Sequence, residues 1–239
     1  MSVTLVTGSA RGLGRRTAEE LLDEGDRVHV VWRSSRHRQA ELEDRFGAEC
    51  VHRADLANER ETHALVEAVL AAEGRLDRIV HAVGAYESGT TSSLDAGVLH
   101  RLWQSNVLTA AHLMDAAREP LRASGKGRAI FFGTAGLAGH RARSTTAGYS
   151  SAKSALLVLV RSWATEEAGF GVTVNMVSPG HVPHADAHPD TLDSELHQRL
   201  PAGRAGDPRE VAEAVRWLLS DAAGYTTGTD LQVGGGWML

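Results

Sequence analysis

The sequence predicts an α/β fold: a single doubly wound parallel sheet of about seven strands, flanked by helices on both faces. Three observations predict it. Short β-rich runs alternate with Ala-, Leu- and Glu-rich stretches from end to end. Most of the runs are apolar at consecutive positions, which is how strands covered on both faces read. A glycine-rich turn joins the first run to the first helical stretch, the arrangement of a Rossmann-type dinucleotide-binding unit.

The expected strands are Val3–Thr7, Val28–Trp32, Glu49–His52, Arg78–Ala82, Ala129–Gly133, Val172–Val177 and Asp230–Val233. The expected helices are Leu13–Glu24, His37–Phe46, Glu59–Glu73, Asp95–Ala123, Ala147–Ala168 and Pro208–Ser220, where Pro208 suits a first turn. No composition shift marks a linker, so residues 1–239 read as one domain. The long irregular stretch Gly180 to Gly206 holds Pro183, Pro189, Pro201 and four histidines. A loop of that length reads as a lid over the strand carboxyl ends.

Hydrophobic residues make up 42% of the 239, and the net charge is −5. That balance supports a sizeable core and argues against nucleic-acid binding, which needs clustered positive charge. Cys50 is the only cysteine, so no intrachain disulfide forms and a reducing, cytoplasmic setting is expected. The apolar run Ala155 to Val160 is far shorter than the ~20 residues of a membrane helix. No signal-peptide pattern precedes Val3.

The first turn reads Thr7-Gly8-Ser9-Ala10-Arg11-Gly12-Leu13-Gly14. Gly8 permits a tight turn, Gly12 a close approach of pyrophosphate, and Gly14 close helix–sheet packing. The helix that opens there offers free N–H groups to phosphate. An NAD site usually carries Asp or Glu at the end of the second strand. Here Trp32 is followed by Arg33 and Ser34. A guanidinium binds a 2′-phosphate that a carboxylate would repel. Arg33, Arg11 and Ser34 therefore point to NADP(H) over NAD.

Tyr149-Ser150-Ser151-Ala152-Lys153 opens a helix and sets a phenol and an ammonium four residues apart on one face. At ~4 Å and an effective dielectric of ~20 the ammonium favours the phenolate by about 4 kcal/mol, roughly three pKa units at most. Such a tyrosine is a candidate general acid or base.

Together these motifs resemble the short-chain dehydrogenase/reductase family over nearly the whole chain, notably members that act on 3-oxoacyl thioesters. The resemblance implies that Tyr149 and Lys153 are catalytic, that Asn106 orders a proton-relay water, and that Asp55-Leu56 receives the adenine. It also implies that the turn from Asn175 through Pro179-Gly180 to His181 and Val182 touches the nicotinamide. Gly203-Arg204-Ala205-Gly206-Asp207-Pro208 and the Thr227–Gly236 stretch match the family's C-terminal features. Three departures stand out. Thr134 occupies the place of the usual serine, with Ser144, Thr145 and Thr146 as alternative donors. His81-Ala82-Val83-Gly84 replaces an asparagine-rich motif that lines the cofactor, and His81 reads as structural. His184 stands where a threonine is common.

His181, His184 and His188 have helical spacing, but Pro183 interrupts any helix and no cysteine or paired carboxylate completes a tetrahedral set. No metal is expected. The resulting expectation is an NADP(H)-dependent reductase converting a ketone to an alcohol, with Tyr149 as acid. The alternatives are a pteridine reductase-like enzyme and a non-catalytic NADP-binding sensor. The apolar surface of the two longest helices, together with the resemblance, implies homo-oligomers, either dimers or a homotetramer.

Overall fold

A computed structural model describes residues 1–34, 36–139, 141–183 and 200–238. Its strands are β1 (Val3–Thr7), β2 (Arg27–Trp32), β3 (Val51–Arg53), β4 (Arg78–His81), β5 (Arg128–Phe132), β6 (Thr173–Pro179) and β7 (Asp230–Val233). They form one sheet in the order β3-β2-β1-β4-β5-β6-β7, and every neighbouring pair is parallel. The helices are α1 (Gly12–Asp23), α2 (Arg36–Phe46), α3 (Glu59–Glu73), α4 (Ala96–Trp103), α5 (Thr109–Ala123), α6 (Ala147–Glu167) and α7 (Pro208–Leu219). The strand order reverses between β1 and β4. In such sheets the crevice beyond the carboxyl ends at that point holds the ligand.

Successive strand residues point to opposite faces, so each central strand feeds two cores. On one face Leu5, Ile79, Ala129, Phe131 and Met176 pack with residues of α3, α5 and α6. On the other, Val6, Val30, Val80, Ile130 and Val177 pack with residues of α1 and α7. Burial on both faces accounts for the consecutive apolar runs of the sequence.

Local chemistry sets the helix ends. The Asn58 side chain accepts from the Arg60 and Glu61 N–H groups at the start of α3, and Gly74 closes that helix at φ 71°. Asp207 and Glu210 cap α7 reciprocally, with Pro208 in its first turn. Near the end of α6, the fully buried Glu167 accepts from Arg122 Nε at 2.7 Å and Nη2 at 3.0 Å, and from Arg118, tying α6 to α5.

Two expected elements divide. The stretch Glu49–His52 becomes a 3₁₀ turn, Ala48–Cys50, followed by β3. Gly47, at φ 84°, accepts the Cys50 N–H at 3.0 Å, which curls these residues away from the ladder. The stretch Asp95–Ala123 becomes α4 and α5 joined by a π-helical turn, Gln104–Leu108. The cause is side-chain competition. Asn106 Nδ2 donates to Leu102 O at 2.9 Å, and Thr109 Oγ1 donates to Ser105 O at 2.7 Å. Each occupies the carbonyl that an α-helix would offer to that residue's own N–H. Of the Gly180–Gly206 stretch, residues 184–199, including His184 and His188, lie outside the described residues.

Candidate active site

At the switch point the chain turns tightly. Gly8 has φ 74° and Gly12 φ 60°, and a Cβ at Gly8 would lie 2.6 Å from the Ala82 carbonyl. Only glycine fits this approach of β1 to β4. The N-cap of α1 is Arg11, extended and making no side-chain cap, and no acidic residue stands in the first turn. The N–H groups of that turn therefore face outward with their partial positive charge, as a pyrophosphate requires. The other predicted turn residues serve the scaffold. Ser9 is buried; its hydroxyl donates to Val6 O at 2.9 Å and accepts from Val31 N at 2.9 Å, pinning the turn to β2. Leu13 packs into the core beside Val30.

Arg33 and Ser34 follow β2 in exposed positions. The Arg33 guanidinium is 70% exposed and stands 3.9 Å from Asp55, itself turned back to accept the Ala57 N–H at 3.1 Å. The predicted phosphate and adenine contacts thus face each other across the ends of β2 and β3. Leu56 is a core residue whose carbonyl accepts from His112. An open cavity of about 390 Å³ beside the turn is lined by Arg11, Arg15 and Arg38 among others.

Beyond β4, Ala82 and Val83 pack into the two cores, and Gly84 abuts the site. A Cβ at Gly84 would clash with Asn106 Oδ1 and lie 3.1 Å from Lys153 Nζ. The π-turn delivers Asn106 to this point. The Asn106 side chain is buried, its Nδ2 donates to Ala85 O and Leu102 O, and its Oδ1 accepts nothing within the protein. Lys153 Nζ donates to Phe132 O, at the end of β5, at 2.7 Å. Thr134, two residues on, hydrogen-bonds the Tyr149 phenol and opposes its high pKa. Of the four hydroxyl candidates, Thr134 is the one joined to Tyr149.

The electrostatics differ from the expectation. Burial, reinforced by the neighbouring Tyr86 phenol, pushes Tyr149 up to about 12. Burial pushes Lys153 down to about 8. The ammonium lies 5.9 Å from the Tyr149 ring centre and is turned to the Phe132 carbonyl, so the expected lowering of the phenol does not operate in this chain by itself. Desolvation outweighs charge pairing when the pair is not in direct contact.

His81 is structural. Its nitrogens meet Thr7 Oγ1 at 2.8 Å and Thr109 Oγ1 at 3.1 Å. Burial, then Lys153, pushes its pKa down to about 3, so it stays neutral. After β6, Pro179 O accepts the Ala135 N–H and Gly180 N donates to Val233 O. Gly180 lies against Gly234, where a Cβ would come within 2.6 Å of the Gly234 Cα. His181 lines a smaller cavity of about 170 Å³, and Val182 packs against the core. Sequence reasoning missed Tyr86. Its ring, 63% exposed, meets Tyr149 edge to face with centres 5.1 Å apart. An aromatic in the loop after β4 was the only signal.

A family model described as enoyl-(acyl carrier protein) reductase matches residues 8–238. The chain belongs to the short-chain dehydrogenase/reductase family. Its similarity to a 3-oxoacyl-(acyl-carrier-protein) reductase of Haemophilus influenzae is 30% identity, over 98% of this chain and 97% of the relative. A tropinone reductase homolog of Arabidopsis thaliana is 34% identical over 97% and 92% of the two chains. Among solved structures, a short-chain dehydrogenase/reductase mutant of Serratia marcescens superposes with TM-score 0.89 at 28% identity, covering 100% of this chain and 98% of that one. As a short-chain dehydrogenase/reductase the protein is an oxidoreductase that works with a nicotinamide cofactor. The bare N-terminus of α1 and the unpartnered Asn106 Oδ1 fit that cofactor. No described helix is long and apolar enough to cross a membrane.

Proposed function

We propose that this short-chain dehydrogenase/reductase is an NADP(H)-dependent carbonyl reductase, with a ketone, foremost a 3-oxoacyl thioester, as its substrate. The observation that carries this reading is the convergence of Thr134, Tyr149, Lys153 and Asn106 around Gly84. When bound, the nicotinamide supplies the hydride that reduces the carbonyl carbon. The chain supplies the proton and the alignment. A phenol near 12 is fully protonated at neutral pH, so Tyr149 is poised to donate, which favours reduction over alcohol oxidation. Thr134 holds the Tyr149 hydroxyl and offers a second hydrogen bond to the carbonyl oxygen. Lys153 keeps a cation beside the phenol, and Asn106 Oδ1 is the acceptor through which the donated proton is replaced.

Gly8, Gly12 and Gly14 cradle the pyrophosphate, Arg11 and Arg33 take the 2′-phosphate, and Asp55 takes the adenine. Pro179, Gly180, His181 and Val182 border the nicotinamide. We read residues 1–239 as one catalytic domain, with 180–206 as its lid, acting in the cytoplasm as a dimer or tetramer. Exposed Leu99, Trp103 and Val158 on α4 and α6 support pairing through those helices. The deciding experiment is Tyr149→Phe. NADPH binding is expected to persist while carbonyl turnover falls at least 1000-fold; undiminished turnover would overturn the assignment. A second reading, reduction of a pteridine, is favoured by Tyr86, whose exposed ring beside Tyr149 suits a flat heterocycle. Parallel assays with a dihydropterin and a 3-oxoacyl thioester separate the two.

A further inference from the structure

At the amino-terminal edge of the sheet, opposite Tyr149, three side chains of metal-binding type meet. His29 is third in β2 and fully buried. Cys50 ends the 3₁₀ turn before β3 and is 1% exposed. Glu73 is the last residue of α3. One ligand atom from each, a ring nitrogen, a sulfur and a carboxylate oxygen, lies within 4.8 Å of the other two. Among the described residues the Cys50 thiol forms neither a disulfide nor a hydrogen bond. Apolar packing would suit a lone buried thiol, but it would not direct a histidine and a carboxylate onto it.

We propose that His29, Cys50 and Glu73 form a structural zinc site. A mixed nitrogen, sulfur and oxygen set suits a borderline-soft ion, whereas magnesium and calcium favour oxygen alone. Tetrahedral zinc holds its ligand atoms roughly 3.3–3.8 Å apart, so the cluster needs to contract by about 1 Å. Thiolate and carboxylate together balance the ion's charge, leaving no net charge buried. Around the site, Arg27 Nε donates to Glu73 Oε1 at 2.8 Å and Arg27 Nη1 lies 3.3 Å from Glu49. One Glu73 oxygen stays with Arg27 while the other faces the ion, and Glu49 or water completes the fourth position. His29 also has the outer partner that metal-binding histidines usually have: its Nδ1 lies 2.8 Å from His52 Nε2.

The proton balance is simple. Without metal, His29 Nε2–H donates to Glu73 Oε1 at 3.1 Å. On binding, that proton moves to Nδ1 and donates to His52, whose own proton sits on its Nδ1. The Cys50 S–H bond breaks, the Zn–S bond forms, and one proton leaves to solvent. The ion would staple the edge strand β3 and the end of α3 to β2. The site is remote from the proposed chemistry and does not rest on it.

The test uses the full chain, stripped with chelator, incubated with zinc chloride and desalted. About one zinc per chain and a raised Tm are expected. Cobalt in place of zinc should give a sulfur-to-metal charge-transfer band. Cys50→Ser should abolish the band and cut retained zinc at least tenfold. His63→Ala, in the exposed Glu59, His63 and Asp115 group, should change neither. No retained zinc, retention unaffected by Cys50→Ser, or loss with His63→Ala would each overturn the proposal. If circular dichroism shows Cys50→Ser unfolded, Glu73→Gln carries the same test, with the zinc-induced rise in Tm as its readout.

Discussion

Replacing Lys153 with methionine tests the electrostatics of the site without any substrate. The ammonium is buried, and its pKa falls from 10.5 to about 8. Each pKa unit is worth about 1.4 kcal/mol, so holding the charged form inside the protein costs roughly 3 kcal/mol at neutral pH. Between about pH 8 and 10.5 the unfolded chain binds more protons at this residue than the folded chain does. Stability therefore rises with pH through that window, as the folded amine becomes neutral first. Relative to Lys153→Met, the wild type should gain about 2.5 kcal/mol between pH 7 and pH 10. The lost hydrogen bond to Phe132 O and any change in packing shift the difference at every pH equally, so they do not alter its slope. Urea unfolding of both proteins at several pH values measures the slope. A difference flat from pH 7 to 10, or one that grows against the wild type, would refute the buried-cation account.

Gly84→Ala should displace Asn106 and Lys153 together; it is expected to cost about 1–3 kcal/mol of stability and to lower kcat about 100-fold, measured by urea unfolding and steady-state kinetics. Glu167→Ala leaves Arg118 and Arg122 facing a buried gap. It should destabilise by about 3–5 kcal/mol and lower Tm by roughly 10 °C in calorimetry, with NADPH affinity unchanged below the transition. Arg33→Ala should raise KM for NADPH about tenfold while leaving KM for NADH in place, and equal changes for both would remove Arg33 from the 2′-phosphate contact.

The sheet was legible because its strands are covered on both faces. Val3–Thr7 and Asp230–Val233 fall where the apolar runs place them, since burial alone selects those residues. The caps of α3 and α7 were equally local, written in Asn58, Gly74 and the Asp207-Pro208 pair. The strand expected at Glu49–His52 shortened because a left-handed Gly47 and its backbone hydrogen bond act over three residues, below the reach of an apolar pattern. In the site, Tyr149 and Lys153 could be paired by helical spacing, and Thr134 by its place after β5. The sign of the Tyr149 shift could not be read. It depends on how deeply the phenol is buried and on Tyr86, which sits 63 positions earlier in the chain and reaches it only through tertiary packing. The grouping of His29, Cys50 and Glu73 was hidden for the same reason, since three separate elements contribute one residue each.

The π-helical turn at Gln104–Leu108 makes the 96–123 segment two rods joined out of phase. Each residue of an α-helix advances about 100° around its axis. Deleting a single residue from the turn would let an unbroken helix form, and the rod after it would rotate by that amount. Leu113, Met114 and Ala117 would then swing away from the sheet, or Asn106 would swing away from Gly84. Length is thus held more strictly than side-chain identity along this stretch, and an indel scan should find it far less forgiving than α3.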